Sequence, residues 1–149
     1  KYLYRSIKSM VSDDYYTLPI GVAKEVQDGE ELSIITYGLG VHWAISATKD
    51  LGLSAKIIDL RTLLPWDKDT VRKSVEATGK VLVLHEDTIT GGVGAEIAAW
   101  VSEHCFESLD APVRRVGSLD TPVPMAKNLE DSFLGSARLK AVLEDLAAY

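Results

Sequence analysis

The sequence predicts an α/β protein in which a mainly parallel sheet is covered by helices on both faces. Three observations predict it. From residue 32 onward, short β-branched apolar runs alternate with segments whose apolar residues recur at helical spacing. The links between them are short, as successive strand–helix–strand units require. The most apolar run, Val81-Leu82-Val83-Leu84, shows no polar alternation, which fits a strand buried on both sides.

The first twenty residues stand apart from this pattern. Tyr2, Tyr4, Tyr15 and Tyr16 around Ser12-Asp13-Asp14 read as an extended arm, apolar enough to lie against another surface. Gly21 to Gln27 reads as an edge strand, which local signals would pair as a hairpin with the next strand through Asp28-Gly29. Leu32 to Tyr37 is a buried strand ended by Gly38. Val41, Ala44, Ile45 and Thr48 place a helix up to Leu51, with Gly52 free to take the left-handed conformation of its C-cap. Ala55 to Asp59 is the next strand. Asp67, after Pro65-Trp66, is an N-cap for a helix that carries Val71 and Val75 and closes at Gly79. Val81 to Leu84 is expected at the centre of the sheet. A helix opening near Gly94 runs through Ile97, Ala98, Val101 and Cys105, and Val113 to Val116 is a short strand. The last helix puts Leu139, Val142, Leu143 and Leu146 on one face.

Composition narrows the function. The 149 residues suit one domain, with 16 Lys+Arg against 22 Asp+Glu and a formal net charge of −6. That balance argues against nucleic acid as the main partner and favours a basic protein partner. The densest basic spot is only Arg114-Arg115. A single cysteine, Cys105, excludes zinc sites built on paired cysteines and any internal disulfide. No apolar run approaches the ~20 residues of a membrane span. The chain opens at Lys1 rather than at a methionine, so we expect a piece of a longer polypeptide.

Two glycine turns follow strands, and each is a candidate phosphate cradle. In Gly38-Leu39-Gly40-Val41-His42-Trp43 an indole stands where a dinucleotide fingerprint needs its third glycine. In Gly91-Gly92-Val93-Gly94-Ala95-Glu96 the Lys-Ser/Thr of a P-loop is missing. We read both as glycines for tight turns and close helix packing. His85-Glu86-Asp87 leaves the apolar strand at its carboxyl end, where α/β proteins place ligands. Beside two acids His85 could be a general base or part of a metal site, but no second histidine or nucleophile lies near it in sequence, so we read it as a strand-end histidine bonded within its turn. His42 and His104 have no metal-ligand spacing, Cys105 sits on an apolar helix stripe, and no Gly-x-Ser-x-Gly elbow occurs. Nothing in this residue chemistry assembles a complete active site.

Several segments together resemble one family. They are Leu3-Tyr4-Arg5, Tyr16-Thr17-Leu18-Pro19-Ile20-Gly21-Val22-Ala23, Thr36-Tyr37-Gly38 and Ile58-Asp59-Leu60-Arg61-Thr62-Leu63-Leu64-Pro65-Trp66-Asp67. His85-Glu86, Gly91 to Ile97, Leu109-Asp110-Ala111-Pro112-Val113 and Asp120-Thr121-Pro122-Val123-Pro124 complete the series. In this order they resemble the C-terminal, transketolase-like domain of the β subunit of 2-oxo-acid dehydrogenase decarboxylating components. Leu84 to Thr88 running into Thr90-Gly91-Gly92, with Val116-Gly117-Ser118-Leu119-Asp120, resembles the branched-chain (2-oxoisovalerate) type more than the pyruvate type.

The resemblance implies a three-layer α/β/α sandwich with a five-stranded, mostly parallel sheet in the order 1-3-2-4-5. Its antiparallel first strand is the Gly21–Gln27 segment, beside the third. Residues 1–20 would be an arm from an upstream domain and residues 21–149 the domain itself. A topological switch point then falls between the second and fourth strands, bordered by Gly38, Gly40, His85, Glu86, Gly91, Gly92 and Gly94.

The parent enzymes use thiamine diphosphate and Mg²⁺, held outside this segment, so no catalytic, cofactor or metal residue is carried over. The implied partners are an α subunit, a second β subunit and the basic peripheral subunit-binding domain of a dihydrolipoyl acyltransferase. Asp110, Glu130, Asp131, Glu144 and Asp145 are candidate docking acids. The implied place is the bacterial cytoplasm, or the mitochondrial matrix in a eukaryote. The competing expectations are a free-standing protein that binds a partner or anion at the glycine crevice, and a different transketolase-like enzyme with further domains.

Overall fold

The computed structural model describes residues 2–149. Its sheet has five strands: β1 (Lys24–Gln27), β2 (Leu32–Thr36), β3 (Ala55–Asp59), β4 (Val81–Thr88) and β5 (Arg114–Ser118). They lie in the order β1-β3-β2-β4-β5. β2 to β5 are parallel to their neighbours and β1 runs antiparallel to β3. β2, buried at every residue, holds the centre. The position expected for Val81–Leu84 is therefore corrected by one strand. Both β2 and β4 are covered on two faces, so hydrophobicity alone does not rank them.

The hairpin expected from Asp28-Gly29 does not form. Glu30 and Glu31 instead donate their amides to the Ser54 carbonyl, at 3.0 and 2.8 Å, which carries the chain past the start of β3 to the far side of that strand. A Cβ on Gly29 would stand 2.3 Å from the Ala55 carbonyl carbon. Gly29 thus serves a backbone crossing and not a hairpin turn. β1 ends up as a short outer strand whose register slips between Glu25 and Gln27.

Strand alternation builds the two cores. Ile34, Ile57, Leu82, Leu84 and Val116 face helices α2 (Leu39–Leu51) and α6 (Ser136–Ala147). Ile35, Ile58, Val81 and Val83 face α3 (Lys68–Thr78) and α4 (Val93–His104). Each helix buries the stripe that its periodicity predicts: Val71 and Val75 on α3, Ile97 and Val101 on α4, and Leu139, Leu143 and Leu146 on α6. Gly52 and Gly79 close α2 and α3 with φ of 68° and 67°, the left-handed C-cap. A buried polar cluster joins strand and helix: the Ser33 hydroxyl on β2 lies 2.6 Å from Ser74 Oγ and 2.8 Å from Thr78 Oγ1 on α3.

Two helices have no clear sequence signal. The arm begins with the five-residue α1 (Tyr2–Ser6) rather than an extended chain, and residues 7–19 form no helix or strand. α5 (Lys127–Phe133) buries only Phe133, so no apolar period announces it.

Asp67 does more than cap α3. Its Oδ1 accepts from the Thr70 amide at 3.0 Å, and its Oδ2 accepts from the Thr70 hydroxyl and from the Ala23 amide. Partial burial pushes its carboxyl upward, but the bonds from Thr70 and Ala23 together hold it below the ordinary value. The carboxylate therefore adds stability above the pKa of the unfolded chain, and that stability is lost as pH falls through the lower folded value. Asp67→Ala is expected to cost about 1–2 kcal/mol in urea unfolding at neutral pH. Asp67→Asn, which keeps an acceptor, is expected to cost less.

Candidate functional site

The direction of chain winding reverses between β2 and β4, so their carboxyl ends form the switch point. On β2 this end carries Thr36, Tyr37, Gly38 and Gly40; on β4 it carries His85, Glu86 and Asp87 and leads into the Gly91–Gly94 turn. The structure brings all seven predicted crevice residues to one end of the sheet. It also shows how the space between them is used.

His85 is fully buried on the α3/α4 side of β4. Its ring is enclosed by three glycines. A Cβ on Gly94 would stand 2.3 Å from His85 Nε2, one on Gly92 2.7 Å from Cε1, and one on Gly117 2.8 Å from Cε1. Real side chains never approach so closely, so the imidazole fits only because these positions lack a Cβ. The sequence reading missed Gly117, although a glycine inside a short strand is itself a sign of close approach. Tyr37 lies parallel to the imidazole, with centroids 6.5 Å apart.

The hydrogen bonding sets the tautomer. His85 Nδ1 lies 3.1 Å from the Asp87 carbonyl oxygen, an acceptor, so Nδ1 carries the proton. Nε2 is then an unprotonated acceptor with no hydrogen-bond partner among the described residues. Burial pushes the imidazole below its ordinary value, which keeps it neutral. Thr36 Oγ1 is likewise unpartnered, and a Cβ on Gly40 would stand against it. Burial, then the charges of Asp87 and Glu86, raise the Tyr37 hydroxyl above its usual range.

Gly40, Gly92 and Gly94 are thus spent on packing, while Gly38 and Gly91 are exposed turn glycines with φ of 57° and 78°. Thr90 fastens the second turn: Asp120 accepts from its amide at 2.9 Å and from its hydroxyl at 2.6 Å. No group of three or more His, Cys, Asp or Glu among the described residues is placed to hold a metal ion. With His85 packed against Gly92, Gly94 and Gly117, and Gly40 against Thr36, the crevice does not fit a thiamine diphosphate.

The five docking candidates fall at two ends of the molecule. Glu130 and Asp131 lie on α5 near the carboxyl ends of the strands. There Glu130, Glu86 and Asp87 surround a cavity of about 180 Å³ floored by Val123, Phe133 and Leu134. Asp110 lies at the opposite end, where its amide donates to the Gly79 carbonyl at 2.8 Å. Glu144 and Asp145 share that end, since Asp145 pairs at 2.8 Å with Arg114 at the start of β5. Asp131 pairs with Lys127 at 3.2 Å. Both pairs are exposed and worth little to stability.

Fold and site together define a doubly wound α/β/α domain whose switch point is packed shut. The transketolase C-terminal domain model matches residues 21–138, and the chain belongs to that family. It is 42% identical, over its whole length, to 2-oxoisovalerate dehydrogenase subunit beta of Bacillus subtilis, covering 47% of that protein. It is 41% identical, over 84% of its length, to the pyruvate dehydrogenase E1 component subunit beta of the same bacterium, covering 39% of it. Among solved structures it resembles a split-gene transketolase described as an inactive β4 tetramer, with TM-score 0.75 and 25% identity over 95% of this chain and 46% of that one. The chain therefore spans less than half the length of these relatives.

Two outcomes test the packing of His85. Gly94→Ala is expected to destabilise the domain by about 1–3 kcal/mol. The same change in a His85→Ala background should cost clearly less, because the clash is gone. Because burial lowers the proton affinity of His85, the unfolded chain binds the proton more readily than the fold does, so stability falls as pH drops below the ordinary value of 6.5. His85→Asn is expected to flatten that part of the profile in unfolding measurements between about pH 7 and 5.

Proposed function

We propose that this chain is the C-terminal assembly and docking domain of the β subunit of a thiamine-diphosphate-dependent 2-oxo-acid dehydrogenase. The observation that carries this reading is the 42% identity to a 2-oxoisovalerate dehydrogenase β subunit along the entire chain. The parent enzyme would oxidatively decarboxylate a 2-oxo acid and pass the acyl group to a lipoyl group. Thiamine diphosphate and Mg²⁺ would be held by the α subunit and by the β subunit's upstream domain. The packed switch point agrees with that division of labour, because its histidine and glycines support each other rather than a ligand.

The substrate we favour is 2-oxoisovalerate or a related branched-chain 2-oxo acid. The 41% identity to a pyruvate-type β subunit is nearly as high, so the preference rests on the Leu84–Gly92 and Val116–Asp120 segments. Partners would be the α subunit, a second β subunit and the basic subunit-binding domain of an acyltransferase, in a bacterial cytoplasm. No helix of the described residues is long and apolar enough to cross a membrane. A free-standing protein binding an anion in the glycine crevice has less support, since Gly40, Gly92 and Gly94 face packed atoms.

The test is reconstitution of the full-length polypeptide that contains this chain with its α subunit. Turnover with 2-oxoisovalerate well above that with pyruvate is expected; the reverse order would overturn the substrate assignment, and no turnover with any 2-oxo acid would overturn the reading. For docking, Glu144→Lys with Asp145→Lys is expected to weaken binding of the acyltransferase's subunit-binding domain and to reduce its salt dependence. Glu130→Lys with Asp131→Lys, at the other end of the sheet, provides the comparison, and calorimetric titration at two salt concentrations reads both.

A further inference from the structure

The motif from Asp59 to Asp67, which carries much of the family resemblance, lies outside the switch point and holds something else. Its side chains grasp the main chain of residues 21–23. Thr62 Oγ1 accepts from the Gly21 amide at 3.1 Å, and Asp67 Oδ2 accepts from the Ala23 amide at 2.9 Å. The Arg61 guanidinium donates to the Val22 carbonyl from Nε at 3.1 Å and Nη2 at 2.8 Å, and to the Ala23 carbonyl from Nη2 at 3.2 Å. Pro65 packs beside Gly21, whose φ is 76° and whose Cβ, were there one, would stand 3.2 Å from Pro65 Cγ.

Arg61 is built for this contact. It is the only non-glycine residue with positive φ among those described, at 55°, and its amide donates to Asp59 Oδ1 at 3.0 Å. An arginine in that conformation is strained, so the surrounding bonds must hold it there. No side chain of residues 21–23 enters any of these bonds. Just before the grip, Tyr15, Tyr16, Leu18 and Ile20 are exposed; just after it, β1 begins.

We infer that the 59–67 loop is a clamp on the backbone of residues 21–23, which fixes the direction in which the arm leaves the domain and couples the arm to α3. The coupling runs through Asp67, because one carboxylate holds both the Ala23 amide and the first turn of α3. Since the clamp reads only main-chain groups, its grip is indifferent to the side chains at positions 22 and 23. This device is independent of the substrate and partners proposed above.

Hydrogen exchange on the whole chain tests the clamp. Arg61→Ala and, separately, Thr62→Val are expected to speed amide exchange at residues 21–24 by about tenfold or more, with the Thr70 amide in the first turn of α3 following to a smaller extent and Val71–Val75 little changed. Arg61→Lys, which lacks the forked donor, should recover only part of the protection. Spin labels at Leu18→Cys and Ala137→Cys test the direction: a narrow distance distribution is expected, broadened by Arg61→Ala. Unchanged exchange at residues 21–24 in both variants would overturn the clamp. So would acceleration spread evenly over the sheet, and an unchanged distance distribution would overturn its control of the arm.

Discussion

The upper end of this domain depends on giving one imidazole a place to lie. His85 sits at the point where β4 leaves the core, and Gly92, Gly94 and Gly117 are the three positions that yield to it. Those glycines belong to the turn before α4, the first turn of α4 and β5. Their closeness therefore sets how near α4 and β5 approach β4. The Asp87 carbonyl fixes the ring's orientation, and the low proton affinity imposed by burial keeps it an uncharged packing unit. A histidine beside two acids at the carboxyl end of a strand has the sequence appearance of a catalytic group; here the surrounding glycines make it a spacer.

The parts legible in sequence are those with a local cause. Asp67, Gly52 and Gly79 mark helix ends through their own chemistry, and the helical stripes of α3, α4 and α6 follow from solvent exclusion on one face. The parts that were not legible depend on distant partners. Gly29 looks like a turn residue until Ala55 is seen packed against it, and the order of β2 and β4 cannot be read from two runs that are both buried on two faces. The antiparallel pairing of β1 with β3 came from the family resemblance, since local signals favour a hairpin.

The candidate site shows the same division. The glycine turns and His85 were identifiable from their place after strands, but their mutual contact was not, because Gly117 lies some thirty residues away in sequence. The acidic residues were visible as a net charge of −6, yet only the structure separates them into two groups at opposite ends. A single docking footprint of ordinary size would have to use one group or the other.

The shortness of β1 has a consequence for solubility. Its four residues pair with Ile57, Ile58 and Asp59 and cover the outer edge of β3, while Asp28 and Gly29 lie against Lys56 and Ala55. An uncovered edge of that kind offers unpaired amides and carbonyls to any extended chain. The register slip at Glu25 and Gln27 and the Lys56 ion pair with Glu25 make β1 itself a poor template for another strand. A four-residue strand, charged and irregular, thus covers the β3 edge with a poor template, while β5 forms the opposite edge of the sheet.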